Sequence, residues 1–193
     1  QFFTLPYDAV MYGQGAKVCE VEGFYTDPEA NEMAIYFKNI QEDGAAIKAG
    51  QAYLVQTDSE TDFLTVSFEE EEVTGFDNFN YSYEAKEVNG LIGTIFSQTV
   101  GPDFGVLNIA GNSLVDTKNG EENGDVIETL IAPLSGYINP ANLPVLKSAP
   151  EGNEYVKILN YLSFDFPEQP EVPEEPGESE YIELVEGTNF TNG

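Results

Sequence analysis

Hydrophobic and polar positions along this chain follow a period of two, not of 3.6. No stretch longer than about ten residues carries apolar side chains at i, i+3, i+4 and i+7, the signature of an amphipathic helix. Strand patterns recur instead. Phe63-Leu64-Thr65-Val66-Ser67-Phe68 alternates, with Leu64, Val66 and Phe68 on one face and Phe63, Thr65 and Ser67 on the other. Phe2 to Leu5 reads as a first strand ended by Pro6, followed by Ala16 to Phe24, Met33 to Phe37 and Gln51 to Gln56. Later candidates are Leu91 to Phe96, Gly105 to Ala110, Ser113 to Asp116, Val126 to Ala132, Tyr137-Ile138 and Tyr155 to Leu159. A helical turn is expected near Pro28 to Glu32. About ten short, mostly antiparallel strands punctuated by Gly, Pro, Asn and Asp predict an all-β fold, a β-sandwich.

The pattern changes after Phe166. From Pro167 to Glu180 prolines alternate with like charges, the composition of an extended, self-repelling linker. Beyond it, Tyr181-Ile182-Glu183-Leu184-Val185-Glu186 returns to strand-like alternation. The expected organisation is a β-sandwich domain over residues 1–166, a Pro/Glu-rich linker over 167–180, and a C-terminal strand or the start of another domain over 181–193.

Charge narrows the partners. Among 193 residues there are 35 acids against 7 bases, all of them Lys, a net charge of −28. Such a chain repels phosphate backbones and anionic membrane surfaces, so nucleic acid is excluded as a partner. No run reaches the roughly 18–20 apolar residues of a membrane span. The acidity otherwise reads as solubility, or as a means of binding cations or tolerating salt. Cys19 is the single cysteine, which rules out an internal disulfide, and its Val18-Cys19-Glu20-Val21 context fits a small buried hydrophobe better than a reactive thiol.

The absence of His removes Ser-His-Asp and Cys-His nucleophilic arrangements, and His- or Cys-based zinc sites with them. Gly13-Gln14-Gly15 lacks the spacing of a phosphate-binding loop. Acids are abundant enough for a carboxylate pair, but Glu69 to Glu72 reads more simply as a solvated strand end. No catalytic residues are assigned. Calcium is the one metal the composition admits, and Asp116, Asn119, Glu121 and Asp125 are its candidate ligands. The same segment also reads as an acidic hairpin loop turned by Asn119-Gly120 and Asn123-Gly124. The aromatic cluster from Phe76 to Tyr83 interleaves rings with amides, as a sugar-binding face does. Its candidates are Phe76, Asn78, Phe79, Asn80, Tyr81 and Tyr83, and the competing reading is a tyrosine-rich loop packed on the sandwich.

Five segments in order carry a resemblance. They are Phe3-Thr4-Leu5-Pro6-Tyr7-Asp8-Ala9, Ile47-Lys48-Ala49-Gly50-Gln51-Ala52-Tyr53-Leu54-Val55, Asn89-Gly90-Leu91-Ile92-Gly93-Thr94, Val106-Leu107-Asn108, and Ala132-Pro133-Leu134-Ser135-Gly136-Tyr137-Ile138. Together they resemble an all-β module that recurs in large secreted and cell-surface proteins of Bacteroidetes, with the pattern "TLPFDA … IxAGxAYLV … NxLxGT". The likeness spans roughly residues 2 to 140. It departs from the pattern at Phe3, where the module often has Trp, and at Gly136, where it has Ala. The resemblance implies export, a place in a multidomain chain, no enzymatic activity and no defined ligand. Physically, Ala49-Gly50 needs a tight backbone turn, and Gly90 and Gly93 suggest close backbone approach or a bulge.

These readings predict a non-catalytic structural or assembly module outside the cell. Its partner would be a protein or neighbouring subunit, with Tyr181, Ile182, Leu184 and Val185 as a strand added to a sheet edge. The alternative is an accessory carbohydrate-binding module of an adhesive or polysaccharide-acting protein.

Overall fold

The computed structural model describes residues 1–160 apart from 42–43, 58–62, 68–81, 102, 109–112, 117–120, 123–124 and 127–128. The described residues form 17 strands and one 3-10 turn, an all-β sandwich. The strands are β1 (Phe2–Thr4), β2 (Ala9–Gln14), β3 (Ala16–Asp27), β4 (Glu32–Asn39), β5 (Ala45–Ile47) and β6 (Ala52–Thr57). They continue with β7 (Phe63–Ser67), β8 (Glu87–Val88), β9 (Leu91–Thr94), β10 (Gln98–Val100), β11 (Gly105–Asn108) and β12 (Ser113–Asp116). The last five are β13 (Glu121–Glu122), β14 (Asp125–Val126), β15 (Thr129–Ile131), β16 (Ser135–Ile138) and β17 (Tyr155–Asn160).

Ten strands make the main sheet, in the order β1-β6-β3-β4-β17-β12-β11-β16-β9-β8. All these pairings are antiparallel except β12 with β17, which is parallel. The last described strand in the chain is therefore the seam of the sheet. It joins an N-terminal half built on β3 and β4 to a C-terminal half built on β11 and β12. The sheet then curls back on itself, because the Thr4 amide donates to the Leu134 carbonyl at 3.1 Å.

This curl encloses the main core. Phe2, Cys19, Phe24, Ile35, Phe37 and Leu54 meet Leu91, Ile138, Val156 and Ile158 there. Each fully buried side chain of this size contributes roughly 1.5–3 kcal/mol by leaving water. Phe24 reaches the core only because β3 carries a bulge. Val21 pairs with Phe37 and Gly23 with Tyr36, so Glu22 is the extra residue. One inserted position shifts the alternation, and Phe24 then faces inward with Cys19 and Val21.

A three-stranded sheet, β5-β2-β7, covers the outer face of β3 and β6. Met11, Ala45 and Ile47 pack there on Val18 and Tyr53, and Phe3 stacks on the Tyr53 ring at 5.7 Å. β6 is thus buried on both faces, which explains why Ala52-Tyr53-Leu54 is apolar throughout instead of alternating. On the other side of the molecule the β10–β15 pair covers β16 through Val100, Ile131 and Tyr137.

Several expectations are refined. The strand expected from Val126 to Ala132 is two strands, β14 and β15. The helical turn expected near Pro28 is the turn of the β3–β4 hairpin, where Asp27 Oδ1 accepts from the Glu29 and Ala30 amides. Gly90 belongs to a two-residue hairpin turn. Asn89 (φ 49°) and Gly90 (φ 79°) lie between β8 and β9 with Val88 opposite Leu91, the Asn-Gly turn that the strand twist favours. Strand β2 and the short β5, β8, β10 and β13 were not expected. The linker at 167–180 and the strand at 181–193 lie outside the described residues.

Candidate functional site

Four of the five motif segments meet at one junction. The Thr4 hydroxyl, fully buried, donates to the Ser135 carbonyl at 2.5 Å. The Thr94 hydroxyl donates to the Ala132 carbonyl at 2.8 Å and accepts from the Ser135 amide at 3.0 Å. The Gly50 amide donates to the Leu5 carbonyl at 2.8 Å, and its own carbonyl accepts from the Lys86 amide at 3.0 Å. The Ala49 amide donates to Asp8 Oδ1 at 2.7 Å, and Lys48 stands 3.6 Å from the same carboxylate.

Two glycines permit this junction. Gly50 sits at φ +78°, and a Cβ there would lie 2.4 Å from the Glu84 carbonyl oxygen. A Cβ on Gly93 would lie 2.5 Å from the Gly50 oxygen and 2.8 Å from the Thr4 hydroxyl. Both obstacles are backbone or buried, so neither can swing aside. Gly136 is similarly confined, since a Cβ there would lie 2.9 Å from the Ile92 oxygen and 3.0 Å from the Ala52 Cβ. The motif residues hold the two ends of the curled main sheet together.

Tyr53 adds a second lock. Its ring is fully buried, and its hydroxyl accepts from the Lys48 amide at 2.9 Å, tying the turn after β5 to β6. Burial pushes the phenol up to about 12, partly offset by that backbone bond. Burial likewise pushes the Cys19 thiol up to about 12 against the pull of Lys17, so the thiolate is suppressed. Cys19 is a core residue, as its strand context suggested.

Beside the junction lies a cleft of about 430 Å³. Its walls include Phe2 from β1, Val106 and Leu107 from β11, and the turn from Leu130 to Gly136 between β15 and β16. Leu130 is 69% exposed and Leu134 46%, large apolar side chains left open to water at the rim. Leu134 also adopts φ 54°, a left-handed conformation that costs a bulky residue on the order of 1–2 kcal/mol. The junction holds it there through the bond from Thr4 to its carbonyl. Leu107, from the fourth motif segment, was read as part of a strand; that it also walls a cleft had no local signal.

Of the aromatic candidates, Tyr83 is described. It is 61% exposed and stacks at 6.1 Å on Phe96, itself 65% exposed. Phe96 was expected only as a strand end. Phe76, Asn78, Phe79, Asn80 and Tyr81 lie outside the described residues. Of the calcium candidates, Asp116 ends β12, while Glu121 and Asp125 lie in β13 and β14; Asn119 is outside the described residues. Glu122 pairs with Asp125 across residues 123–124, a hairpin arrangement. Among the described residues no group of three acids, His or Cys converges on a point that could hold a metal. Tyr181, Ile182, Leu184 and Val185 are outside the described residues.

No family model, curated protein or solved structure matches the chain. Among the described residues no helix is long and apolar enough to cross a membrane.

Proposed function

We propose that the chain is a non-catalytic structural or assembly module of a bacterial secreted or cell-surface protein. The observation that carries this reading is the pairing of a close-packed junction with an open cleft at its edge, where the side chains of Leu130 and Leu134 are exposed. Apolar side chains left in water on an otherwise strongly acidic protein mark a contact surface for another polypeptide. The motif likeness to the Bacteroidetes module supports export and the absence of chemistry. The C-terminal segment supplies a strand for the contact.

Light-scattering mass after size exclusion tests this reading, comparing residues 1–193 with 1–166. The shorter form keeps every described strand, since β17 ends at Asn160. Assembly by the longer form alone is the expected outcome; two monomers of equal stability would defeat it.

One observation favours a second reading, an accessory carbohydrate-binding module. Tyr83 and Phe96 present adjacent exposed rings that can stack on the apolar face of a sugar. Affinity electrophoresis in polysaccharide gels, with Tyr83→Ala and Phe96→Ala as controls, tests it. Retardation of the wild type but not of the variants supports glycan binding.

A further inference from the structure

Resting on the second, carbohydrate-binding reading, we infer that the Tyr83–Phe96 ring pair is a stacking platform for an uncharged polysaccharide, held by the apolar faces of its sugars and not by charge.

The platform is built from segments that the fold pins. Phe96 stands at a bend. Ser135 pairs with Thr94 and Ile131 with Gln98, the same register on either side of residues 95–97. Strands β9 and β10 with β15 and β16 therefore form one two-stranded ribbon that bends there. The Thr94 hydroxyl fixes one side of the bend through the Ala132 carbonyl and the Ser135 amide. Gln98 fixes the other, its side-chain amide donating to the Tyr137 hydroxyl at 2.9 Å. At the bend Ile95 is buried and Phe96 is open to water.

Tyr83 arrives on a segment tied at both ends to the junction. The Ser82 amide donates to the Pro6 carbonyl at 2.7 Å, and the Lys86 amide donates to the Gly50 carbonyl at 3.0 Å. Between these anchors the Ser82 hydroxyl accepts from the Glu84 amide at 3.2 Å, closing a turn that contains Tyr83. The two rings then lie 6.1 Å apart and 26° from parallel, both mostly exposed. Single exposed apolar residues are ordinary. Two adjacent rings so anchored make a surface, and each has only two side-chain torsions to lose on binding.

Charge selects the ligand. The chain carries a net charge of −28, and beside the rings Lys86 is flanked by Glu84 and Glu87. A uronate or sulfated polymer meets net repulsion from such a protein. An uncharged sugar instead lays a face of C–H groups on an aromatic ring, a contact that ionic strength does not screen.

The test is isothermal titration calorimetry on the full chain with a galactomannan, an uncharged β-glucan and polygalacturonate. Each is measured in about 0.1 M and about 1 M salt, between which the screening length falls from about 10 Å to about 3 Å. The expected result is binding to an uncharged polymer, with an affinity that changes less than about twofold with salt. Tyr83→Ala and Phe96→Ala are each expected to weaken it roughly 3- to 10-fold, the equivalent of one aromatic contact. Phe96→Tyr should retain it, and Tyr12→Ala, at an exposed ring on β2, should leave it unchanged. Both platform residues are mostly exposed, so the variants keep the fold, and an unchanged thermal midpoint verifies that. Binding confined to polygalacturonate, or abolished at high salt, overturns the inference and leaves the carbohydrate reading standing. Binding that both alanine variants retain does the same, because the sugar then sits elsewhere. No binding to any of these polymers defeats the reading and the inference together.

Discussion

The junction at Thr4, Gly50 and Gly93 and the rim at Leu130 and Leu134 are joined by the bond from the Thr4 amide to the Leu134 carbonyl, yet they are built on opposite principles. At the junction, polar groups are buried and each is paired: the Thr4 and Thr94 hydroxyls both find carbonyls. At the rim, apolar groups are exposed and one sits in a strained backbone conformation. Burial with satisfied hydrogen bonds stabilises, whereas apolar exposure and strain do not. The contrast teaches that the strained rim geometry is carried by the junction, whose buried polar groups are paired.

The sharpest way to break this comparison is Gly93→Ala. The new methyl collides with the Gly50 oxygen and the Thr4 hydroxyl, so we expect a loss of about 2–4 kcal/mol in denaturant unfolding. A loss below about 0.5 kcal/mol, the range of an ordinary surface change, would show that the junction yields.

Alkaline pH probes the packed side in another way. In the fold the Cys19 thiol titrates at about 12 against 9.0 when free, and the Tyr53 phenol at about 12 against 10.0. Both folded values are raised. The unfolded chain therefore loses protons first, and stability falls as pH rises from the free values toward the folded ones. The slope is at most about 1.4 kcal/mol per pH unit for each group. The decline sets in about one pH unit below the free thiol value of 9.0, where the unfolded chain begins to lose that proton. Unfolding followed from pH 8 upward should show the decline, and Cys19→Ala should delay its onset toward the free Tyr53 value of 10.0. An unchanged onset would mean that the thiol is not the group responsible.

Tyr53→Phe removes the acceptor of the Lys48 amide without emptying the ring's site. An expected cost of about 1–2 kcal/mol, seen as a lower denaturation midpoint at constant slope, would place this lock between junction and rim. The smallest effect is expected at Leu134→Gly. Relief of the left-handed strain should raise stability by up to about 1 kcal/mol while removing one apolar wall of the cleft. Destabilisation in thermal unfolding would instead make Leu134 a packing residue and erase the contrast with the junction.

Much of the fold was legible locally. The strands at Phe2, Ala16, Met33, Ala52, Ser113 and Tyr155 begin within about one residue of where hydrophobic alternation placed them, a margin ordinary for strand ends. The strand at Ala9–Gln14 was missed because it interrupts apolar residues with Gly13 and Gln14 and pairs only with its two-sided neighbours β5 and β7. Tyr83 was legible as a candidate binding aromatic, but its stacking partner Phe96 was not, since 12 residues of chain lie between them. The cleft was not legible at all. Its walls come from β1, β11 and the β15–β16 turn, which are remote in sequence and become neighbours only when the sheet curls.

Alternation, turn residues and the single cysteine by themselves determined the all-β class, most strand positions and the burial of Cys19, because these depend on a two-residue period and on which side chains avoid water. Composition alone determined the acidic character. Only the tertiary structure decided that β17 closes the sheet between two halves, that Gly50 and Gly93 face each other, and that Leu134 is held strained beside a cleft. Those facts depend on which strands pair across long sequence separations, and local pattern carries no record of register between distant strands.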